Sequence, residues 1–218
     1  MRIDVVSDTI CPWCFIGKRR LERALALRPS LVPEIAWRPF QLNPDMPPEG
    51  MDRETYVRLK FGGAERARAV YEPVRAAGES EGIAFAFERI RKTPNTLASH
   101  RLIRWAGTAG AQEAVVELLF RRYFIDGADL SEHETLVAVA REAGMDHEIV
   151  AELLAKGSDI DLVTGEDRSV RSMGVTGVPF FVFDGKYAVP GAQDPEVLVQ
   201  VMDLAERERE KAAPAPAS

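Results

Sequence analysis

The chain has 218 residues, 46% hydrophobic and 28% charged, with a formal net charge of −6. That is globular composition for one large domain or one domain carrying an insertion. The acidic balance argues against nucleic acid or an anionic membrane surface as partner. No run of about eighteen apolar residues exists, so no bilayer-spanning helix is expected.

Residues 2 to 7, RIDVVS, alternate and predict a strand. It begins at once, without an apolar h-region or a small-residue cleavage site, and so predicts a cytoplasmic protein with no secretory signal. Cys11 to about Leu27 predicts a helix, with Leu21, Ala24 and Leu25 as the stripe that packs on a sheet. Lys18-Arg19-Arg20 on that helix reads as a solvated charged face. Glu34 to Phe40 predicts a second strand, in which Ile35 and Trp37 alternate with charged neighbours. Strand, helix, strand opens an α/β domain.

From about Asn43 to Gly165 the pattern is helical. Asn95 or Thr96 can cap a helix carrying Leu97, Leu102, Ile103 and Trp105. Ser131 and Glu134 have capping-box spacing, and Gly144 and Gly157 look like helix stops. Phe85 and Phe87 alternate and predict one extended segment. Further on, Phe180 to Phe183 predicts a strand, Asp184-Gly185 a two-residue hairpin turn, and Lys186 to Val189 the returning strand. Asp194 is placed to cap a last helix with Pro195 in its first position and Val197, Leu198, Val201, Met202 and Ala205 on its apolar face. Pro214-Ala215-Pro216-Ala217-Ser218 reads as a disordered tail. The expected organisation is an α/β domain built from residues 1–42 and 166–211, an inserted helical domain over 43–165, and a tail over 212–218.

The only two cysteines stand in Cys11-Pro12-Trp13-Cys14, where the first strand gives way to the first helix. With Cys11 as N-cap, Pro12 is the first helical residue, where a missing N–H costs least. The N–H groups of Trp13 and Cys14 then point back toward the cap, where an aspartate oxygen commonly accepts them. A Cys11 thiolate can take that place, and the helix dipole favours its charge. Cys11 is therefore expected to be an exposed, acidic nucleophile. Cys14, one turn inward, is the buried resolving thiol, and an i, i+3 pair lies within reach of a disulfide. Two buried structural cysteines are the plainer reading, but Pro and Trp between them at a strand-to-helix turn weigh against it. Tetrahedral zinc needs about four ligands; there is no second CxxC, and His100, His133 and His147 are dispersed. No metal is expected. His133 and His147 read as surface residues; His100 could face the active site, with a packed or solvated histidine as the plainer reading.

A second element is Gly174-Val175-Thr176-Gly177-Val178-Pro179-Phe180-Phe181. A proline ahead of a strand lacks a ladder donor. A cis bond at Val178-Pro179 would leave the Val178 backbone free to pair with an extended peptide.

The strand followed by CPWC, the late Val-Pro before a hairpin and final helix, and the long helical insertion resemble a DsbA-like thioredoxin fold. The segments SDTICPWCFIG, WRPFQLNP, NTLASHRLIRWA, GVTGVPFFVF and VPGAQDPEVL extend the resemblance through about 200 residues, to the FrnE-like branch of DsbA-type thiol oxidoreductases. The resemblance implies a Cys11–Cys14 redox-active disulfide with no bound cofactor, Pro179 in cis, and a groove bordered by Trp13, Val178 and the cap. It further implies a disulfide-bearing protein or small molecule as substrate and a thiol reductant, with glutathione as a candidate co-substrate. The chain departs from relatives that carry a second cysteine pair near the carboxyl end. It also has Trp13 where periplasmic DsbA proteins have histidine, which should leave Cys11 less acidic than theirs. Asp8 would oppose a thiolate if its carboxylate pointed inward. Kappa-class glutathione transferases and 2-hydroxychromene-2-carboxylate isomerases share the superfamily but typically carry serine at the nucleophile position. A holdase using the cap groove is a third reading.

Overall fold

The computed structural model describes residues 1–212. A four-stranded sheet is built from β1 (Arg2–Ser7), β2 (Glu34–Pro39), β5 (Phe180–Phe183) and β6 (Tyr187–Pro190), in the order β2-β1-β5-β6. β2 runs parallel to β1, with Val5 opposite Trp37. β5 runs antiparallel to β1, with Val5 opposite Phe181. The parallel pair needs a crossover, and α1 (Pro12–Ala26) supplies it. α1 packs beside α9 (Pro195–Ala212), where Leu198, Met202 and Ala205 are buried and Val197 faces solvent. This is the mixed α/β thioredoxin arrangement that the motifs implied. The tail expected over 212–218 lies outside the described residues beyond Ala212, which ends α9.

Between the halves of the sheet run α2 (Arg53–Phe61), α3 (Ala64–Ser80), α4 (Leu97–Thr108), α5 (Gln112–Arg121), α6 (His133–Glu142), α7 (His147–Ala155) and α8 (Ile160–Ser172). Gly144 and Gly157 do stop α6 and α7, each with the positive φ that glycine tolerates. No helix among the described residues is long and apolar enough to cross a membrane.

Four local expectations are corrected. Phe85 and Phe87 form no strand: Phe87–Arg89 is a short 3-10 turn, and the two rings stack at 4.9 Å. The extra extended pairing is instead β3 (Met51–Asp52) against β4 (Lys92–Thr93). Ser131 and Glu134 make no capping box, because the Ser131 hydroxyl donates to Asp129 Oδ1 at 2.6 Å and α6 starts at His133. In the hairpin, Asp184 and Gly185 take positive φ and the Lys186 N–H closes on Phe183 O at 3.0 Å. Lys186 thus belongs to the turn, and pairing resumes at Tyr187.

The basic run is not a solvated face either. Lys18 is buried, one helical turn beyond Cys14, and its ammonium meets Glu22, Glu117 at 3.3 Å and Glu113 at 3.6 Å. Burial pulls the ammonium down, but the three carboxylates outweigh it and hold the group above its ordinary value. A buried charge persists only with such partners.

Candidate active site

β1, an interior strand, ends at Ser7, and Asp8-Thr9-Ile10 turns the chain into α1. The Cys11 N–H donates to Asp8 O at 3.0 Å, which closes that turn. Cys11 is the N-cap of α1 in extended geometry and Pro12 is the first helical residue, as the spacing predicts. The Cys11 carbonyl accepts from Cys14 N at 3.0 Å and Phe15 N at 3.4 Å.

The sulfur does not sit where expected. Cys11 makes no side-chain cap. Its Sγ–H donates instead to the Val178 carbonyl at 3.5 Å, across from the Val178-Pro179 peptide, which is cis. Nor is Cys11 exposed: only 4% of its surface reaches solvent. The reason is the packing of the Val178-Pro179 loop on α1. Gly17 lets Pro179 approach so closely that a Cβ there would stand 3.0 Å from Pro179 Cγ and 3.2 Å from Phe181 Cζ. With Pro179 against α1, the Val178 carbonyl covers the sulfur. Trp13 stays at the surface beside it.

Cys14 is deeper, at 1% exposure, and both thiols are free. Burial pushes the Cys14 thiol well above its ordinary value, and the Cys11 sulfur pushes the same way. The Ser7 hydroxyl and the Asp8 backbone pull it back. Cys14 is thus a neutral thiol at neutral pH. Because folding raises its pKa, the native state holds a proton that the unfolded chain releases from about pH 9 upward. Stability present below that pH should fall as pH rises beyond it, by at most about 1.4 kcal/mol per pH unit for one proton. Urea titrations of the reduced protein between pH 8 and 10.5 should show this slope, and Cys14→Ala should flatten it.

Beneath the motif lie groups that no spacing rule pairs in advance. Asp8 is fully buried. Its Oδ2 accepts from Leu42 N at 2.7 Å, and its Oδ1 lies 3.3 Å from His100 Nε2 without the alignment of a hydrogen bond. His100 is therefore a packed residue, while His133 is exposed and His147 half-buried. The Thr9 and Ser99 hydroxyls hydrogen-bond to each other at 2.8 Å, tying the turn to α4. Ser99 and His100 stand in the NTLASH segment; the alternative of His100 facing the active site is the one the structure realises, against Asp8, while nothing in the sequence sets Ser99 against Thr9. Among the described residues, no group of three or more His, Cys, Asp or Glu side chains is placed to hold a metal ion.

The structure thus brings the expected site residues Cys11, Pro12, Trp13 and Cys14 together with Val178 and Pro179 from the other end of the chain. Phe15 anchors it from below, stacked on Phe120 at 5.1 Å and edge-on to Phe85 at 6.1 Å.

A model of the DSBA-like thioredoxin domain matches residues 2–203. A solved structure described as a probable DsbA oxidoreductase from Streptomyces coelicolor is 35% identical, covers 100% of this chain and 94% of its own, and superposes with a TM-score of 0.86. Two more distant structures share the fold. The cytosolic disulfide reductase DsbM of Pseudomonas aeruginosa, solved with GSH, is 15% identical over 97% of this chain and 98% of its own, with a TM-score of 0.66. A 2-hydroxychromene-2-carboxylate isomerase is 15% identical over 98% and 100%, with a TM-score of 0.68.

Proposed function

Because the chain belongs to the DSBA-like thioredoxin domain family, we propose that it is a thiol-disulfide oxidoreductase with Cys11 as nucleophile and Cys14 as resolving thiol. The observation that carries this reading is the asymmetry of the two sulfurs. One lies at the start of α1 under a backbone carbonyl that an extended substrate can claim; the other is neutral and buried one turn below.

An incoming disulfide RS–SR′ reacts as follows. The substrate backbone takes over the Val178 carbonyl by strand addition, and the Cys11 sulfur loses its hydrogen-bond partner. The Cys11 thiolate attacks one sulfur, a Cys11–SR bond forms, and R′S⁻ leaves. Cys14 then gives up its proton and attacks Cys11 Sγ. The Cys11–Cys14 disulfide forms and RS⁻ leaves. Two electrons pass from the dithiol to the substrate, and the two protons from the cysteines end on the released thiols. Two molecules of a small thiol, glutathione being the candidate, reverse these steps on the enzyme and are themselves oxidised to a disulfide. The same pair run backwards oxidises a substrate dithiol. Its direction depends on its reduction potential, where about 30 mV shifts the two-electron equilibrium tenfold. The motif segments support the FrnE-like branch within the family.

Reduction of insulin by glutathione, followed by turbidity, tests the proposal. The wild-type protein should accelerate it, and Cys11→Ser should run at the uncatalysed rate. Isomerase or transferase turnover that survives Cys11→Ser, or aggregation suppression independent of both cysteines without disulfide turnover, would sink the oxidoreductase reading.

A further inference from the structure

Outside the two sulfurs, the buried polar group with the least explanation is the Tyr123 hydroxyl. The residue is 1% exposed, and its oxygen makes no well-aligned hydrogen bond, although the Thr93 side chain stands close enough to interact with it. Native interiors rarely keep such a group without a use. Tyr123 belongs to a π-helical turn, Arg122–Asp126, between α5 and α6. That geometry is rare and recurs at functional sites. It sets Tyr123 in the wall of a cavity of about 30 Å³ that Pro12 of the CPWC motif also lines.

Arg53 closes the same cavity. Its Nη2 donates to the Tyr71 hydroxyl at 2.7 Å and its Nη1 to Thr93 Oγ1 at 3.1 Å. The rings of Tyr56 and Tyr71 lie 5.5 and 5.4 Å from the guanidinium carbon. Every one of these neighbours is neutral. The carboxylate next to it in sequence, Asp52, is turned away onto the N–H groups of Glu54 and Thr55 at 3.0 and 2.9 Å. Asp129 is bound to Lys92 at 2.8 Å. Arg53 thus presents a half-buried positive charge with no carboxylate of its own among the described residues. Burial holds the Tyr123 phenol well above its ordinary range, so it stays an O–H donor.

We propose that this crypt receives a carboxylate of the small thiol or disulfide that reacts at Cys11, with Arg53 supplying the charge and Tyr123 an O–H donor. The inference rests on the oxidoreductase reading and adds a substrate class to it: carboxylate-bearing low-molecular-weight disulfides and thiols over neutral ones. Three observations converge on that class. The volume is enough for a water-sized polar group such as the oxygen end of one carboxylate. A guanidinium paired only with neutral groups calls for an anion. Ile10 and Pro12, the residues on either side of Cys11, both line the crypt. Beyond Arg53, Tyr71 and Phe87 a cleft of about 630 Å³ opens, a size usual for small-molecule sites.

The test mixes pre-reduced protein with excess glutathione disulfide or bis(2-hydroxyethyl) disulfide and follows formation of the Cys11–Cys14 disulfide in acid-quenched samples. The readout is the ratio of the two second-order rate constants, so the intrinsic reactivities of the disulfides cancel between variants. Arg53→Gln should lower the preference for glutathione disulfide at least tenfold, with the loss in the half-saturating concentration rather than the limiting rate. Arg53→Lys should recover part of it. Tyr123→Phe removes one oxygen from a retained ring and should lower the ratio severalfold without lowering the melting temperature. A ratio within twofold of wild type in both Arg53→Gln and Tyr123→Phe would overturn the carboxylate site while leaving the enzyme intact. Oxidation by neither disulfide in the wild-type protein would overturn both readings together.

Discussion

Replacement of Cys14 by alanine should turn the protein into a trap. With glutathione disulfide, the variant should accumulate one glutathione per chain on Cys11, and the adduct should persist. In the intact protein the adduct is resolved by a thiol one helical turn away. Well-oriented neighbours act with effective molarities on the order of 10⁵ M or more, far above any thiol in free solution. Removing the neighbour should lengthen the adduct's life by at least roughly three orders of magnitude. Intact-mass spectrometry of quenched samples checks this, and peptide mapping locates the sulfur. Cys11→Ser should carry no adduct, because the remaining Cys14 is both shielded and held neutral. An adduct on Cys14 in Cys11→Ser would invert the assigned roles. Failure of Cys14→Ala to form any adduct would mean that the Val178 carbonyl does not yield the Cys11 sulfur to substrate.

That second outcome touches what sequence could not foresee. The N-cap position of Cys11 and the start of α1 at Pro12 follow from local rules, since a proline in the first turn and a strand-to-helix step are events of a few residues. So do β1, β2, β5 and α9, whose alternation or capping signals are strong. The covering of Cys11 by Val178 is a contact between residues 167 apart. It depends on the absence of a side chain at Gly17, and no periodicity announces either. The Asp8–His100 contact, the Thr9–Ser99 hydroxyl pair and the crypt around Tyr123 are likewise long-range. Lys18 shows the same limit with opposite sign: in the sequence it heads a basic run, and only the arrival of α5 with Glu113 and Glu117 makes burial tolerable. Phe85 and Phe87 alternate as a strand would, yet aromatic packing against Phe15 and Tyr71 overrides that pattern.

The aromatic cluster beneath the motif carries the largest expected loss of stability. Phe15 follows Cys14 directly, is almost fully buried, and packs against Phe120, Phe85 and, at 6.4 Å, Phe124. These partners come from α5, from the segment after α3, and from the π-helical turn that holds Tyr123. Phe15→Ala removes the ring that joins all three to the redox helix. Such truncations cost about 3–5 kcal/mol, against a total stability of roughly 5–15 kcal/mol for a domain. The urea midpoint of the reduced protein should fall accordingly, with the denaturant slope unchanged if the native fold persists. A second readout separates simple destabilisation from loss of site geometry. Below the unfolding transition, Cys14 in Phe15→Ala should react with iodoacetamide faster than in wild type by a factor no larger than global opening predicts if the helix stays docked. Reactivity well above that figure would mean that α1 separates locally from the cap. The aromatic contact would then hold the resolving thiol under Cys11, in addition to holding the fold together.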